Sequence, residues 1–292
     1  MKIPYYPGCT LKTTAKNFES SAIASAKQLG IEMEEMPRWN CCGTVYSLAS
    51  DDLMHQIAPI RNLVRIQEAH GDKVVTLCAM CYNTLKQANL LVKKNPDKLN
   101  TLNLFMDDME GYKGNVKVLH PLEIFRDEYS FEKIKEKIKK PLNRLKVVPY
   151  YGCLLTRPAE VAIDDAEEPI VLKKFMETLG AEVVNTPYKI ECCGSYHTVN
   201  NRDVVAMRTY DIITSAAKMG GEAIVLSCPL CEFNLDARQK DVEKAHRDFK
   251  NMPVLYFTQL LAIALGLDES VCGFEQHYVD PRPLLKRKGL VR

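Results

Sequence analysis

GDKVVTLCAMC, residues 71–81, is matched by GEAIVLSCPLC, residues 221–231. In both, a glycine follows a helical stretch, a β-branched run favours extended structure, and the run ends on Cys-x-x-Cys. A strand leading into a paired-cysteine turn therefore occurs twice. Upstream of each copy lies a Cys-Cys-Gly, in NCCGT at 40–44 and in ECCGS at 191–195, and before that YYPGC at 5–9 and YYGC at 150–153. The intervals between the cysteine groups are 31, 35 and 2 residues in the first copy and 38, 34 and 2 in the second. A period of about 150 residues is too long for a solenoid and indicates two tandem modules about a pseudo-twofold axis.

Within each module the pattern alternates strand, helix, strand. Lys2–Tyr6 reads as a strand; Ala15, Phe18, Ala22, Ala26 and Leu29 follow at helical spacing, with Gly30 as terminator. Ile31–Met36 reads as a second strand, 51–70 as a helix, and Val74–Leu77 as the strand running into Cys78. Helices are expected near 169–180, 201–219 and 232–246, and the insertion 155–169, with its DDAEE, reads as a solvated loop. The fold class is α/β, with a mostly parallel sheet flanked by helices in each module. Right-handed crossovers then gather ligands beyond the carboxyl ends of the strands, where Cys9, Cys78, Cys153 and Cys228 fall. The expected division is 1–130 for the first module, 131–145 for a linker helix, 146–271 for the second module and 272–292 for a tail.

Composition removes several function classes. The formal charge is only +2 over 292 residues, without basic-aromatic interleaving, so no nucleic acid partner is expected. The longest apolar run, Leu255–Leu267, is too short to span a bilayer. MKIPYYPGC lacks a secretory pattern, which places the chain in the cytoplasm as an expectation. There eleven cysteines indicate metal or redox chemistry rather than a disulfide framework.

Thiolates suit zinc and iron-sulfur clusters, and a Cys-x-x-Cys turn lets two converge. A structural zinc site usually pairs two such turns. Here one half is an adjacent Cys-Cys whose extended side chains diverge, which fits a multi-iron cluster better than one metal atom. The pattern resembles the cysteine-rich CCG domain, and two copies in one chain resemble the B subunit of heterodisulfide reductase from methanogenic archaea. The resemblance covers nearly the whole chain. It implies that Cys9, Cys41, Cys42, Cys78 and Cys81 bind one noncubane 4Fe-4S cluster, and Cys153, Cys192, Cys193, Cys228 and Cys231 a second. It further implies that the clusters face each other across the substrate, the coenzyme M–coenzyme B heterodisulfide, reduced to two thiols in methanogenesis. Fused relatives carry a ferredoxin-like Cys-x-x-Cys-x-x-Cys-x-x-x-Cys-Pro segment, absent here, so electrons are expected from the ferredoxin-like C subunit of heterodisulfide reductase, with the flavoprotein A subunit behind it.

Other residues carry weaker signals. His197 is placed to donate a proton to a leaving thiolate, with Tyr46 as its counterpart, although a lone histidine is more often packed or solvated. Lys12, Lys16, Arg157, Arg202 and Arg208 lie near helix starts or cysteine loops, where sulfonate, phosphate or carboxylate groups would be attracted. Tyr6 and Tyr150 are candidates to wall the site. Cys272 reads as a small buried hydrophobe, and the proline-broken tail as a frayed terminus by default. Two other functions compete. One is an electron-transfer or anchoring subunit of a membrane-associated dehydrogenase, succinate or 2-hydroxy-acid type, passing electrons to quinone; 131–140 is its nearest amphipathic candidate. A dithiol oxidoreductase leaves the Cys-Cys pairs unexplained.

Overall fold

The computed structural model describes residues 1–44, 52–106 and 109–292, so Tyr46 lies outside the described residues. Two four-stranded parallel sheets repeat one topology. The first has the order β2-β1-β3-β4, with β1 Lys2–Tyr5, β2 Glu32–Glu35, β3 Lys73–Val75 and β4 Lys117–Leu119. The second has the order β6-β5-β7-β8, with β5 Lys146–Pro149, β6 Glu182–Val183, β7 Ala223–Leu226 and β8 Val254–Tyr256. The registers set Tyr5 beside Val75 and Val147 beside Ala223. Helices join successive strands because parallel neighbours need a crossover. The central strand β7 is buried at all four positions, as a sheet covered on both faces requires.

Each half sends its last element across to the other. Helix Phe257–Ala264, after β8, packs on helix Lys16–Gln28 of the first half. The Phe18 and Tyr256 rings stack at 4.2 Å, and the Ser21 and Thr258 hydroxyls bond at 2.8 Å. Reciprocally, the segment after β4 packs on helix Val171–Thr178, with Phe125 stacked on Phe175 at 5.5 Å. One continuous apolar core results. Stacked aromatic pairs add about 0.5–1.5 kcal/mol beyond area burial, so these exchanges hold the two sites in a fixed relation.

Several expected elements differ. The linker is helical only over Phe131–Lys137. Pro141 lacks an N–H and disfavours helix in its predecessor, and Asn143 and Arg144 take positive φ values of 48° and 53°. Instead the linker backbone docks on the far end of helix Phe257–Ala264, Lys139 and Lys140 donating to the Ala264 carbonyl at 2.9 and 3.0 Å. Its Ile134 points inward and is fully buried, so the apolar side of 131–140 is already used. The helix expected at 232–246 starts earlier, with proline in its first turn, and divides into Pro229–Ala237 and Gln239–Ala245. The 155–169 loop is not simply solvated. Leu155, Val161 and Ile163 are buried, and Asn83 of the first half donates to the Leu154 and Arg157 carbonyls at 2.8 and 2.7 Å. The tail is docked rather than frayed: Leu284, Leu285 and Leu290 are buried, and Lys288 pairs with Glu222 at 2.7 Å. Cys272 is buried as expected.

Candidate functional site

Two strand ends in each half deliver its cysteines. Cys9 follows β1 on a short helical turn and Cys78 caps helix Ala79–Lys94 after β3; Cys153 follows β5 and Cys228 caps helix Pro229–Ala237 after β7. Helical geometry returns Cys81 and Cys231 beside those caps, and the loop carrying each Cys-Cys pair closes the group. The Cys42 and Cys81 sulfurs lie 3.5 Å apart, and Cys193 and Cys231 3.3 Å apart. Both distances exceed the ~2.03–2.05 Å of a disulfide bond. In each half the Cys-x-x-Cys sulfurs and the second cysteine of the pair are buried, whereas Cys9, Cys41 and Cys192 are exposed and Cys153 is intermediate.

A glycine makes room for each convergence. Gly8 and Gly152 hold φ values of +71° and +64°, and a Cβ there would lie 2.9 Å from the Cys81 sulfur and 3.3 Å from the Cys231 sulfur respectively. Above each group sits a buried tyrosine. The Tyr6 hydroxyl donates to the Asn40 carbonyl at 2.8 Å and that of Tyr150 to the Glu191 carbonyl at 2.5 Å, so each ties down the residue before a Cys-Cys pair. Burial first, then the four nearby thiols, raises the Tyr150 phenol far above its usual range: Cys231, Cys193, Cys192 and Cys153 all contribute. Tyr6 is raised likewise by burial, then by Cys81, Cys42, Cys41 and Cys9.

The thiols hold one another's protons. Hydrogen bonds from Cys41 and then Cys81 push Cys42 down to about 4, while Cys41 is raised by the same bond to Cys42. In the second half Cys153 and then Cys193 push Cys192 down to about 2, and Cys193 is pushed up to about 12 by Cys192. Cys153 is raised by Cys192, and Cys231 by Cys193 and Cys228. Metal binding requires thiolates, and soft multi-sulfur sites select zinc or iron-sulfur groups. Five converging thiols per half, with glycine-made clearance at the buried sulfur, fit such a group.

The two groups face a common wall. Tyr256, at the end of β8, is raised by burial, then by Glu232, and also by Cys228 and Cys78, one thiol from each half. In the repeat Tyr256 is the counterpart of His120: both cap a helix with a reciprocal bond from the third residue on, Gln259 or Glu123. VLHPLE at 118–123 and VLYFTQ at 254–259 are a fourth repeated segment, without cysteines to draw notice. Beside Tyr256 lies a buried group formed by Glu232, Asp236 and His277, whose ligand atoms all fall within 4.8 Å of one another. Gln259 Nε2 approaches His277 Nε2 at 2.8 Å while Gln259 Oε1 accepts the Tyr256 N–H at 2.9 Å. The ring nitrogen facing Gln259 is thus an acceptor, and Nδ1 lies 3.4 and 3.7 Å from the Glu232 and Asp236 carboxylates without a hydrogen bond to either. The Asp236 carboxylate accepts the Tyr278 and Val279 N–H groups at 2.7 and 2.9 Å, so the group seats the start of the tail.

The basic candidates divide. Lys12 pairs with Glu19 and Glu35 at 2.8 and 2.6 Å, and Arg157 with Glu167 at 2.7 Å. Arg208 bonds Glu191 at 3.1 Å and donates to the Cys192 carbonyl at 3.2 Å, bracing the cysteine loop. Lys16 and Arg202 are exposed at the starts of their helices, and His197 is exposed on a short 3-10 turn after Cys193.

Fold and site together define a tandem cysteine-rich protein in which the same thiol group is repeated in each half. Residues 3–86 and 147–236 each match the family described as CCG, cysteine-rich domain, and the chain belongs to that family. It is 32% identical over 96% of its length to the membrane anchor subunit of 8-methylmenaquinol:fumarate reductase from Wolinella succinogenes, covering 98% of that protein. It is also 30% identical to the B subunit of ferredoxin:CoB-CoM heterodisulfide reductase from Methanosarcina mazei, covering 95% of this chain and 94% of that one. Among solved structures, a hypothetical protein from Helicobacter pylori superposes with a TM-score of 0.76 at 13% identity over 95% of this chain, which spans about half (51%) of that one. Among the described residues no helix is long and apolar enough to cross a membrane.

Proposed function

We propose that the chain is the disulfide-reducing iron-sulfur subunit of a multi-subunit complex, converting the coenzyme M–coenzyme B heterodisulfide to two thiols. The observation that carries this is the duplication itself: two five-thiol groups in one core, whose Cys-x-x-Cys turns lie on either side of the wall formed by His120 and Tyr256. Splitting a disulfide consumes two electrons and two protons, and the product is two separate sulfurs. In this reading Cys9, Cys41, Cys42, Cys78 and Cys81 hold one noncubane 4Fe-4S cluster and Cys153, Cys192, Cys193, Cys228 and Cys231 the other. Such groups supply single electrons and soft iron toward sulfur. The protein's part is positional: Tyr6 and Tyr150 hold the Cys-Cys loops, and the buried sulfurs keep water from one side of each site. Exposed Cys9, Cys41 and Cys192 leave the other side open to substrate and to an electron-donating ferredoxin-like partner, with a flavoprotein behind it. Of the five basic candidates, Lys16 and Arg202 are exposed at the starts of their helices and are assigned to an anionic substrate.

The 32% identity to a fumarate reductase anchor subunit supports a second reading, in which the same clusters relay electrons to or from a quinone. Anaerobic viologen oxidation measured with the heterodisulfide, with fumarate and with a menaquinone analogue separates them. Turnover with the disulfide is expected; activity with quinone but none with the disulfide would reject the first reading.

A further inference from the structure

One side chain in the wall between the halves touches both Cys-x-x-Cys turns. His120 caps the helix Pro121–Glu123: its Nδ1 accepts the Leu122 N–H at 3.2 Å, and the Glu123 carboxylate accepts the His120 N–H at 2.8 Å. The ring proton is therefore on Nε2. That nitrogen lies 3.2 Å from the Leu77 carbonyl and 2.9 Å from the Ser227 hydroxyl oxygen. Leu77 immediately precedes Cys78 and Ser227 immediately precedes Cys228, and the two are equivalent positions in the repeat. Tyr82 packs edge-on against the ring at 5.8 Å and Phe257 lies tilted against it at 5.7 Å, so the ring is held on both sides. The ring is fully buried, and burial depresses its basicity to about 3, so it acts as a neutral N–H donor at working pH. Its counterpart Tyr256 donates to Glu232 at 3.1 Å, inside its own half. The bridge is thus one-sided, and of these two residues His120 provides it.

We propose that His120 is a positioning residue that sets the gap between the two cluster sites by tying the two Cys-x-x-Cys turns together. The proposal rests on the function above, because the gap matters when two one-electron centres must reach the two sulfurs of one bond. A displacement of about 1 Å in such an arrangement can cost ~100-fold in rate. The imidazole suits the task because its two nitrogens face different ways. Asparagine can keep the cap through its carbonyl oxygen but has no second arm to reach Ser227.

The test uses the full chain, anaerobically loaded with iron and sulfide, as wild type, His120→Asn and Ser227→Ala. Iron content, the EPR signal of each cluster, the magnetic coupling between clusters, and kcat and KM for viologen-driven disulfide reduction are measured. In both variants the iron content and individual signals should persist, the coupling should change, and kcat should fall about 10–100-fold with KM little altered. Wild-type coupling and kcat in Ser227→Ala would overturn the positioning role, whatever His120→Asn does, since that variant leaves the helix cap intact. A wild-type protein holding fewer than two clusters fails the functional reading first, a result visible before any variant is made.

Discussion

Tyr6 is bonded through its hydroxyl to the carbonyl of Asn40 at 2.8 Å, and thereby holds the residue in front of the Cys41–Cys42 pair. Tyr150 repeats the bond onto Glu191. A buried hydrogen bond contributes about 1 kcal/mol net. The Asn40 carbonyl also accepts from Asn62 at 3.0 Å, so Tyr6→Phe should cost about 1 kcal/mol and Tyr150→Phe at least that much. Urea unfolding gives the cost, and EPR shows whether the spectrum shifts in the affected half alone. Unshifted spectra in both variants would leave the tyrosines as ordinary core.

The glycine before each first cysteine makes a sharper test. Gly8→Ala combines a φ of +71° with a Cβ 2.9 Å from the buried Cys81 sulfur; Gly30→Ala has a φ of +77° but meets nothing within 4 Å. Both carry about 1–2 kcal/mol of backbone strain. Only Gly8→Ala should lower the iron content, toward half the wild-type value. Equal iron in the two variants would mean that the clearance at Cys81 is not needed.

If each half holds a 4Fe-4S group, the loaded chain contains about eight irons and eight sulfides. Cys42→Ser and Cys193→Ser should each perturb one cluster and leave the other half folded. Zinc without sulfide in the purified protein would refute both the count and the cluster type.

The strand–cysteine alternation was legible because burial imposes β-branched runs and because cysteines are conspicuous markers. Other elements have no such marker. β4 and β8 are three residues each, and Leu255–Leu267 reads as a single apolar run until Tyr256 ends a strand and caps a helix. His120 and Tyr256 declare themselves only through VLHPLE and VLYFTQ, a similarity weaker than that around cysteine. The docking of the tail depends on Asp236, whose carboxylate accepts the Tyr278 and Val279 N–H groups at 2.7 and 2.9 Å across more than forty residues. Local composition carries no trace of such a partner. Likewise the charge on Lys12, Arg157 and Arg208 was visible, and so were acidic residues nearby, but which glutamate engages which cation is set by how the loops and helices fold back.

That tail seat yields its own expectation. Asp236 is fully buried and bonded to two backbone donors, so Asp236→Ala should destabilise the protein by about 2–4 kcal/mol and release residues beyond 277 to proteolysis. Limited trypsin digestion compared with wild type reads the release. A tail as resistant as in wild type would show that Leu284, Leu285 and Leu290 hold it unaided.

Two buried groups make opposed contributions to stability against pH. Burial raises Glu232 to about 7 from an ordinary 4.5, an effect that neighbouring Asp236 reinforces and that His277 and the Tyr256 hydroxyl oppose. The folded state therefore keeps a proton that the unfolded chain has lost, and the stability Glu232 contributes below pH 4.5 disappears as pH rises through 7. His120 does the reverse. Its folded value of about 3 against 6.5 means that the unfolded chain takes up a proton first, so its contribution is complete above 6.5 and is lost as pH falls toward 3. Between about 5 and 6.5 the two slopes oppose each other, each worth up to ~1.4 kcal/mol per pH unit. The loaded wild-type protein should show a nearly flat urea midpoint there. Glu232→Gln should expose the His120 slope, with stability rising with pH, and His120→Asn the Glu232 slope, with stability falling. Parallel pH profiles for the two variants would show that neither group titrates as its burial requires.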